Sequence, residues 1–95
     1  VIDYAQRRLT RTQERVLLFI ANYMSERGYA PTTRDICAHL GAVSPHTALG
    51  HRKALERRGL LEMIRYRGRT LRLTAKGKEH AATLREEERV RRAVG

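Results

Sequence analysis

The chain is poor in cysteine, proline, aromatic side chains and acid. Among its 95 residues there are one cysteine, two prolines, one phenylalanine and no tryptophan. A single thiol, Cys37, excludes an internal disulfide and fits a reducing cytosol, so the expected localisation is cytoplasmic and nucleoid-associated. No partner cysteine is in sight, and Cys37 reads as a small core residue. No apolar run reaches the length of a membrane span, and the N-terminus has no signal-peptide core. The four histidines, His39, His46, His51 and His80, form no i, i+3 or i, i+4 pair, and one cysteine does not complete a cluster. No metal and no other cofactor is therefore expected. There is neither a glycine-rich phosphate loop nor an H-E-x-x-H helix, so an enzyme is not expected.

The scarcity of acid is the most informative. Ten Asp and Glu stand against twenty Lys and Arg, giving a net charge of +10 and a pI near 11.0. That excess points to a polyanion, most simply nucleic acid. A basic membrane-surface helix is the competing reading, but no strongly apolar face stands opposite a basic one. More than half of the excess lies in residues 44–73.

Residues 44–59, S-P-H-T-A-L-G-H-R-K-A-L-E-R-R-G, carry their own start and stop. Ser44 suits an N-cap, Pro45 the first helical position, and Gly59 the left-handed residue past the end. Arg57 and Arg58 fall in the last turn, where the helix dipole favours cations. The spacing predicts one helix over about 45–58. Its first turn offers His46 and Thr47 as short polar side chains, and its second half offers Arg52, Lys53, Arg57 and Arg58.

Upstream, residues 1–9 show no firm period and read as an N-terminal arm, either frayed or a short strand. Thr10 and Gln13 form a capping-box pattern before a helix to about Arg27, with Gly28 as its stop. Val16, Ile20 and Tyr23, widened by Leu17 and Phe19, give its core stripe. Pro31 keeps Ala30 extended. Thr32 or Thr33 then caps a short helix over about 34–40, ended by Gly41. Two short helices joined by a tight glycine-containing turn are the helix-turn-helix pattern, whose second helix enters the major groove.

Downstream, residues 60–64 and 70–73 read as two strands around a turn at 65–69 that carries Arg65, Arg67 and Arg69. Leu71 and Leu73 alternate with Thr70 and Arg72, the period of a half-buried sheet. Thr74 caps a last helix over about 75–93, whose first turn is weakened by Lys76, Gly77 and Lys78. Glu87/Arg91 and Glu88/Arg92 are i, i+4 pairs in the favourable order. Ala82, Val90, Ala93 and Val94 leave a thin apolar stripe. The expected fold class is mainly α with a small β-hairpin (α+β), a winged helix-turn-helix with an added C-terminal helix. It forms a single domain over 1–95, with the core at 10–73 and the last helix at 74–95.

Over roughly residues 9–73 the chain also resembles the DNA-binding domain of the LexA repressor family. The matching pieces are L-T-x-x-Q at 9–13, G-Y-A-P-T-T-R-D-I at 28–36, H-L-G at 39–41, S-P at 44–45 and G-H-x-K-A-L-E-R-R-G at 50–59. The resemblance implies a sequence-specific double-stranded-DNA-binding transcriptional regulator. The DNA-binding set expected is Thr33, Arg34, Ser44, His46, Thr47, Leu49, Gly50, Arg52, Lys53, Arg65, Arg67 and Arg69. Within it Leu49 or Gly50 permits close approach, and the arginines of 65–69 take the minor groove or its flanking phosphates. Two departures stand out. The family usually has an apolar residue where this chain has Arg52, so Arg52 either snorkels to a phosphate or the helix is rotated. These 95 residues also include no self-cleaving serine protease half, so the family's damage-sensing switch is not carried over. The segment L-R-L-T-A-K-G-K-E, 71–79, resembles instead the wing-to-last-helix join of MarR- and PadR-type regulators, which usually dimerise through terminal helices. A homodimer through the last helix, by Ala82, Leu84, Val90 and Val94, follows as an expectation. A winged helix used as a protein-interaction or RNA-binding module in a larger assembly is the alternative.

Overall fold

The structure, a computed structural model, describes residues 9–41, 43–64 and 70–94. Its elements run in the order α1 (Arg11–Arg27), α2 (Thr33–His39), α3 (Pro45–Arg57), β1 (Leu61–Ile64), β2 (Thr70–Leu73) and α4 (Ala75–Val94). The helix starts are fixed by side chains three residues apart. Thr10 accepts from the Gln13 N–H at 3.1 Å, and the Gln13 side chain accepts from the Thr10 N–H at 3.1 Å. Thr32 and Asp35 repeat that reciprocal box at α2, so Thr32, not Thr33, is the cap. Each box satisfies two backbone donors that the helix itself cannot.

The strands pair antiparallel, Leu61 with Leu73 and Ile64 with Thr70. On the exposed face Glu62 and Arg72 stand directly opposite and form an ion pair. Leu61, Leu71 and Leu73 face inward and are buried, as the alternation requires. The arginines expected at the hairpin tip, Arg65, Arg67 and Arg69, lie outside the described residues.

One core joins all the elements. Val16, Leu17 and Ile20 of α1, Ile36 and Cys37 of α2, Ala48 and Leu55 of α3, the hairpin leucines, and Ala81 and Leu84 of α4 are all buried. Each large aliphatic side chain so placed contributes about 1.5–3 kcal/mol relative to exposure. α1 packs against α2, α3 and α4. A helix-turn-helix followed by a two-stranded hairpin, with α4 laid back on α1, is a winged helix-turn-helix.

Four expectations need correction. Leu9 belongs to the core and not to a loose arm. Residues 1–8 of that arm lie outside the described residues. Tyr23 leaves the core stripe for Ala21 and Met24. It stands edge-on to Phe19 and Tyr29, with the Arg27 guanidinium 4.6 Å from its ring centre. Leu84 faces inward and is unavailable to a second copy.

The fourth concerns Gly77. The glycine is not a weak spot in the first turn of α4. A Cβ there would overlap the Leu60 carbonyl oxygen, so the close approach of α4 to the end of α3 requires glycine. The same joint is tied by Thr74. Its N–H donates to the Leu60 carbonyl at 3.2 Å, its hydroxyl donates to the Gly59 carbonyl at 2.6 Å, and it accepts from the Gly77 N–H at 3.0 Å.

Candidate nucleic-acid interface

The helix at 45–57 is held at both ends and along one face. At its start the Ser44 hydroxyl accepts from the Thr47 N–H at 3.2 Å, and the two hydroxyls share a hydrogen bond at 2.9 Å. Two of the expected readers are thus already ordered by the cap, and both remain exposed. At its end Leu60 N–H donates to the Leu55 carbonyl and Gly59 N–H to the Glu56 carbonyl, at 3.1 and 2.9 Å. Gly59, at φ 74°, takes the left-handed turn that this paired closure needs.

Ala48 and Leu55 are wholly buried, which sets the rotation of α3. At 100° per residue the opposite side carries His46, Gly50, Lys53 and Arg57, spaced 4, 3 and 4 apart. All four are exposed. Thr47, exposed, and Leu49, half-buried, flank the line. The outward line holds two cations and no acid. Arg57, noted in the second half of the helix but left out of the expected DNA-binding set, lies on this line. The 46-50-53-57 spacing is the signal that finds it.

Arg52 resolves differently from both expectations. The helix is not rotated, since Ala48 and Leu55 keep their places inside. Nor does the side chain extend outward: it is only 19% exposed, with its Nε 3.5 Å from the Glu56 carboxylate. Its stem continues the buried face and its charge lies against Glu56, although the buried Nε makes no hydrogen bond. Of the readers expected on α3, Arg52 is turned away from the outward line.

On α2, Arg34 is exposed and Thr33 half-buried, just inside the capped start. Hydrogen bonds from the Thr32 N–H and hydroxyl hold the Asp35 carboxyl below its usual range. At the other end of α2, His39 stacks on Phe19, with ring centres 4.2 Å apart. Burial, and then the nearby Arg15, push its imidazole below the usual histidine value. No cluster of His, Cys, Asp or Glu suited to a metal occurs among the described residues. No helix among them is long and apolar enough to cross a membrane.

The profile of the LexA DNA binding domain matches residues 6–70. The chain belongs to the LexA DNA-binding domain family. The LexA repressor of Halorhodospira halophila is 46% identical over 66 residues, which are 70% of this chain and 29% of that protein. The LexA repressor of Sorangium cellulosum is 45% identical over 64 residues, 67% of this chain and 28% of that protein. The chain therefore spans under a third of the length of these LexA relatives.

Solved structures extend the likeness past the LexA match. The M. tuberculosis transcriptional regulator MosR superposes with a TM-score of 0.66 at 27% identity, covering 90% of this chain and 59% of MosR. The transcriptional regulator Tm0710 of Thermotoga maritima gives 0.62 at 25%, covering 90% and 62%. SSV1 F-93 gives 0.61 at 21%, over 94% of this chain and 98% of its own, a likeness of fold alone. Coverage of nine-tenths cannot be reached within residues 1–70. The LexA-type unit and part of α4 are together the winged-helix arrangement that these structures share.

Proposed function

We propose that this LexA-type domain binds double-stranded DNA with sequence preference, as a transcriptional regulator in the cytoplasm, with α3 in the major groove. The observation that carries the reading is the outward line of α3. His46, Lys53 and Arg57, with Thr47 beside them, are presented together on a helix whose opposite face is locked into the core. His46 and Thr47 supply donors and acceptors for base edges, while Lys53 and Arg57 supply charge for phosphates. Thr33 and Arg34 at the start of α2 and Ser44 at the cap are proposed as flanking backbone contacts. Arg65, Arg67 and Arg69, on the segment that joins the paired ends Ile64 and Thr70, are proposed to take the minor groove or nearby phosphates. LexA relatives carry the name repressor, and occupation of an operator is the simplest way for such a domain to act.

The unit proposed is a pair of copies, because two half-sites multiply specificity through effective concentration. α4 is the surface favoured for pairing. Val90 and Val94 are exposed apolar residues on its second half, and Leu84 takes no part.

The test is fluorescence anisotropy with duplexes selected from a random pool. Preferred duplexes should be bound more tightly than random ones, with affinity falling as salt rises. His46→Ala or Thr47→Ala should cost about 1–3 kcal/mol on the preferred duplex and much less on random DNA. Equal losses on both would remove α3 from base reading. Tighter binding to RNA, or no binding to either, would favour the interaction-module alternative. Sedimentation equilibrium with and without duplex reads the number of copies.

A further inference from the structure

Gly50 stands at the centre of the outward line of α3, and nothing in the fold calls for it. The other helical glycine among the described residues shows the contrast. Gly77 is buried, and a Cβ on it would overlap the Leu60 carbonyl. At Gly50 a Cβ would meet nothing within 4 Å. The residue is exposed, sits in mid-helix, and is not among the glycines of positive φ. A glycine in such a place weakens the helix relative to alanine. The folded domain alone would be better served by almost any other residue.

Gly50 leaves a shallow recess in the face, floored by helix backbone. Its surface neighbours at i±3 and i±4 are His46, Thr47, Lys53 and Ala54. The backbone N–H and C=O groups of that floor are engaged along the helix, so the recess offers neither donor nor acceptor. In the major groove the one base-edge feature that wants neither is the 5-methyl group of thymine.

We infer that the recess over Gly50 receives a thymine methyl group. The missing side chain lets α3 sit close enough to the base edges for His46 and Thr47 to reach theirs. This rests on the DNA-binding reading and names what the middle of that site selects. The same methyl is offered by 5-methylcytosine, and the experiment separates the two sources.

Gly50→Ala and the unaltered domain are compared on a duplex selected from a random pool by the unaltered domain. The fold is followed by thermal unfolding. Gly50→Ala should raise Tm by about 2–8 °C, as removal of a mid-helix glycine does in a domain of this size. It should also weaken the preferred duplex about tenfold or more and leave random DNA unchanged. Replacing thymines one at a time with deoxyuridine should reveal a position in each half-site that costs about fourfold, the worth of one buried methyl. That cost should vanish in Gly50→Ala. Deoxycytidine there, paired with guanine, should bind poorly, and 5-methylation of it should restore about fourfold.

If Gly50→Ala binds the preferred duplex as tightly as the unaltered domain, or if no thymine responds to loss of its methyl, the inference is wrong. Should only the 5-methylcytosine arm respond, the natural source of the methyl is not thymine and the assignment also falls. His46→Ala and Thr47→Ala serve as controls. If they weaken binding while Gly50→Ala does not, only the recess fails. If none of the three matters, α3 is not the reading helix.

Discussion

α3 and α4 are both basic helices that contain a glycine, and they are used in opposite ways. α3 is buried along its inner side, from Ala48 to Leu55, and leaves a bare outer line whose cations form no ion pair among the described residues, Glu56 being placed against Arg52. α4 has its buried residues, Gly77, Ala81 and Leu84, only in its first half; just past them Arg85 donates to the Asn22 side chain of α1 at 2.8 Å. The rest of its second half is largely exposed and pairs charge along the helix, Glu86 with Arg89 and Glu88 with Arg92. Counting arginines would rank the end of α4 as the better polyanion surface. Pairing within α4 reverses that ranking, since an arginine already beside a glutamate has less to gain from a phosphate.

The largest effect that separates these regions is one of stability within α4. Leu84→Ala should destabilise the fold by about 2–5 kcal/mol, as for other buried leucines. Val90→Ala should stay within about 0.5 kcal/mol. Chemical denaturation of both variants checks this. A concentration-dependent loss in Val90→Ala would mean that the second half of α4 is covered by another copy.

A smaller effect divides the cations. Lys53→Ala and Arg57→Ala should each lower the slope of log K against log salt by about 0.9, one phosphate contact apiece. Arg92→Ala should leave the slope unchanged. A fall of equal size in Arg92→Ala would erase the distinction between the two helices. The measurement is a salt series of anisotropy titrations on one duplex.

Smaller still, and of opposite sign in its two readouts, is a change at the start of α3. α1 and α2 carry Gln13 and Asp35 three residues after the cap, whereas α3 carries Thr47 and has no acid in its first turn. Thr47→Glu completes a capping box and should raise stability by about 0.3–1 kcal/mol. It should also weaken duplex binding, because it brings a negative charge to the phosphates. Thermal unfolding and anisotropy on the same preparation read the two signs.

The least effect concerns α2, whose box stands for what α3 forgoes. The Asp35 carboxyl is held below its ordinary value of 3.8 by the Thr32 N–H and hydroxyl. Its contribution is complete above that value and is lost as pH falls through the lower, folded value. Between neutral pH and about pH 2 the Tm of the unaltered domain should fall further than that of Asp35→Asn. Parallel falls would mean that the box carries no net stabilisation.

Much of this was legible in the order of residues. T-x-x-Q at Thr10, the Ser44-Pro45 start and the glycines at 28, 41 and 59 mark helix ends, because a cap is made by groups within three or four residues of one another. The alternation in 70–73 placed Leu71 and Leu73 inside. The 3.6-residue period also contained the outward line of α3, although Arg57 could be placed on it, and Arg52 taken off it, only once Ala48 and Leu55 were known to face inward. Less legible were Leu9, Tyr23 and Leu84, each of which reads equally well as covered or exposed. Arg52 was ambiguous for another reason. Its stem is apolar and its head charged, and only the position of Glu56 beside it decides where the head goes.

What depended on local chemistry could be read without the fold: the caps, the stops, the strand period and the excess of positive charge that marks a polyanion partner. What depended on residues far apart in the chain could not. Gly77 is required because α4 comes down on the Leu60 carbonyl, seventeen positions away. The buried positions of α4 are Gly77, Ala81 and Leu84 because these are the ones that meet the core; beyond them polar groups face α1, as Arg85 faces Asn22. Gly50 carries the same letter as Gly77 and has the contrary cause. Only the packing of the whole domain, by leaving one glycine crowded and the other bare, tells them apart.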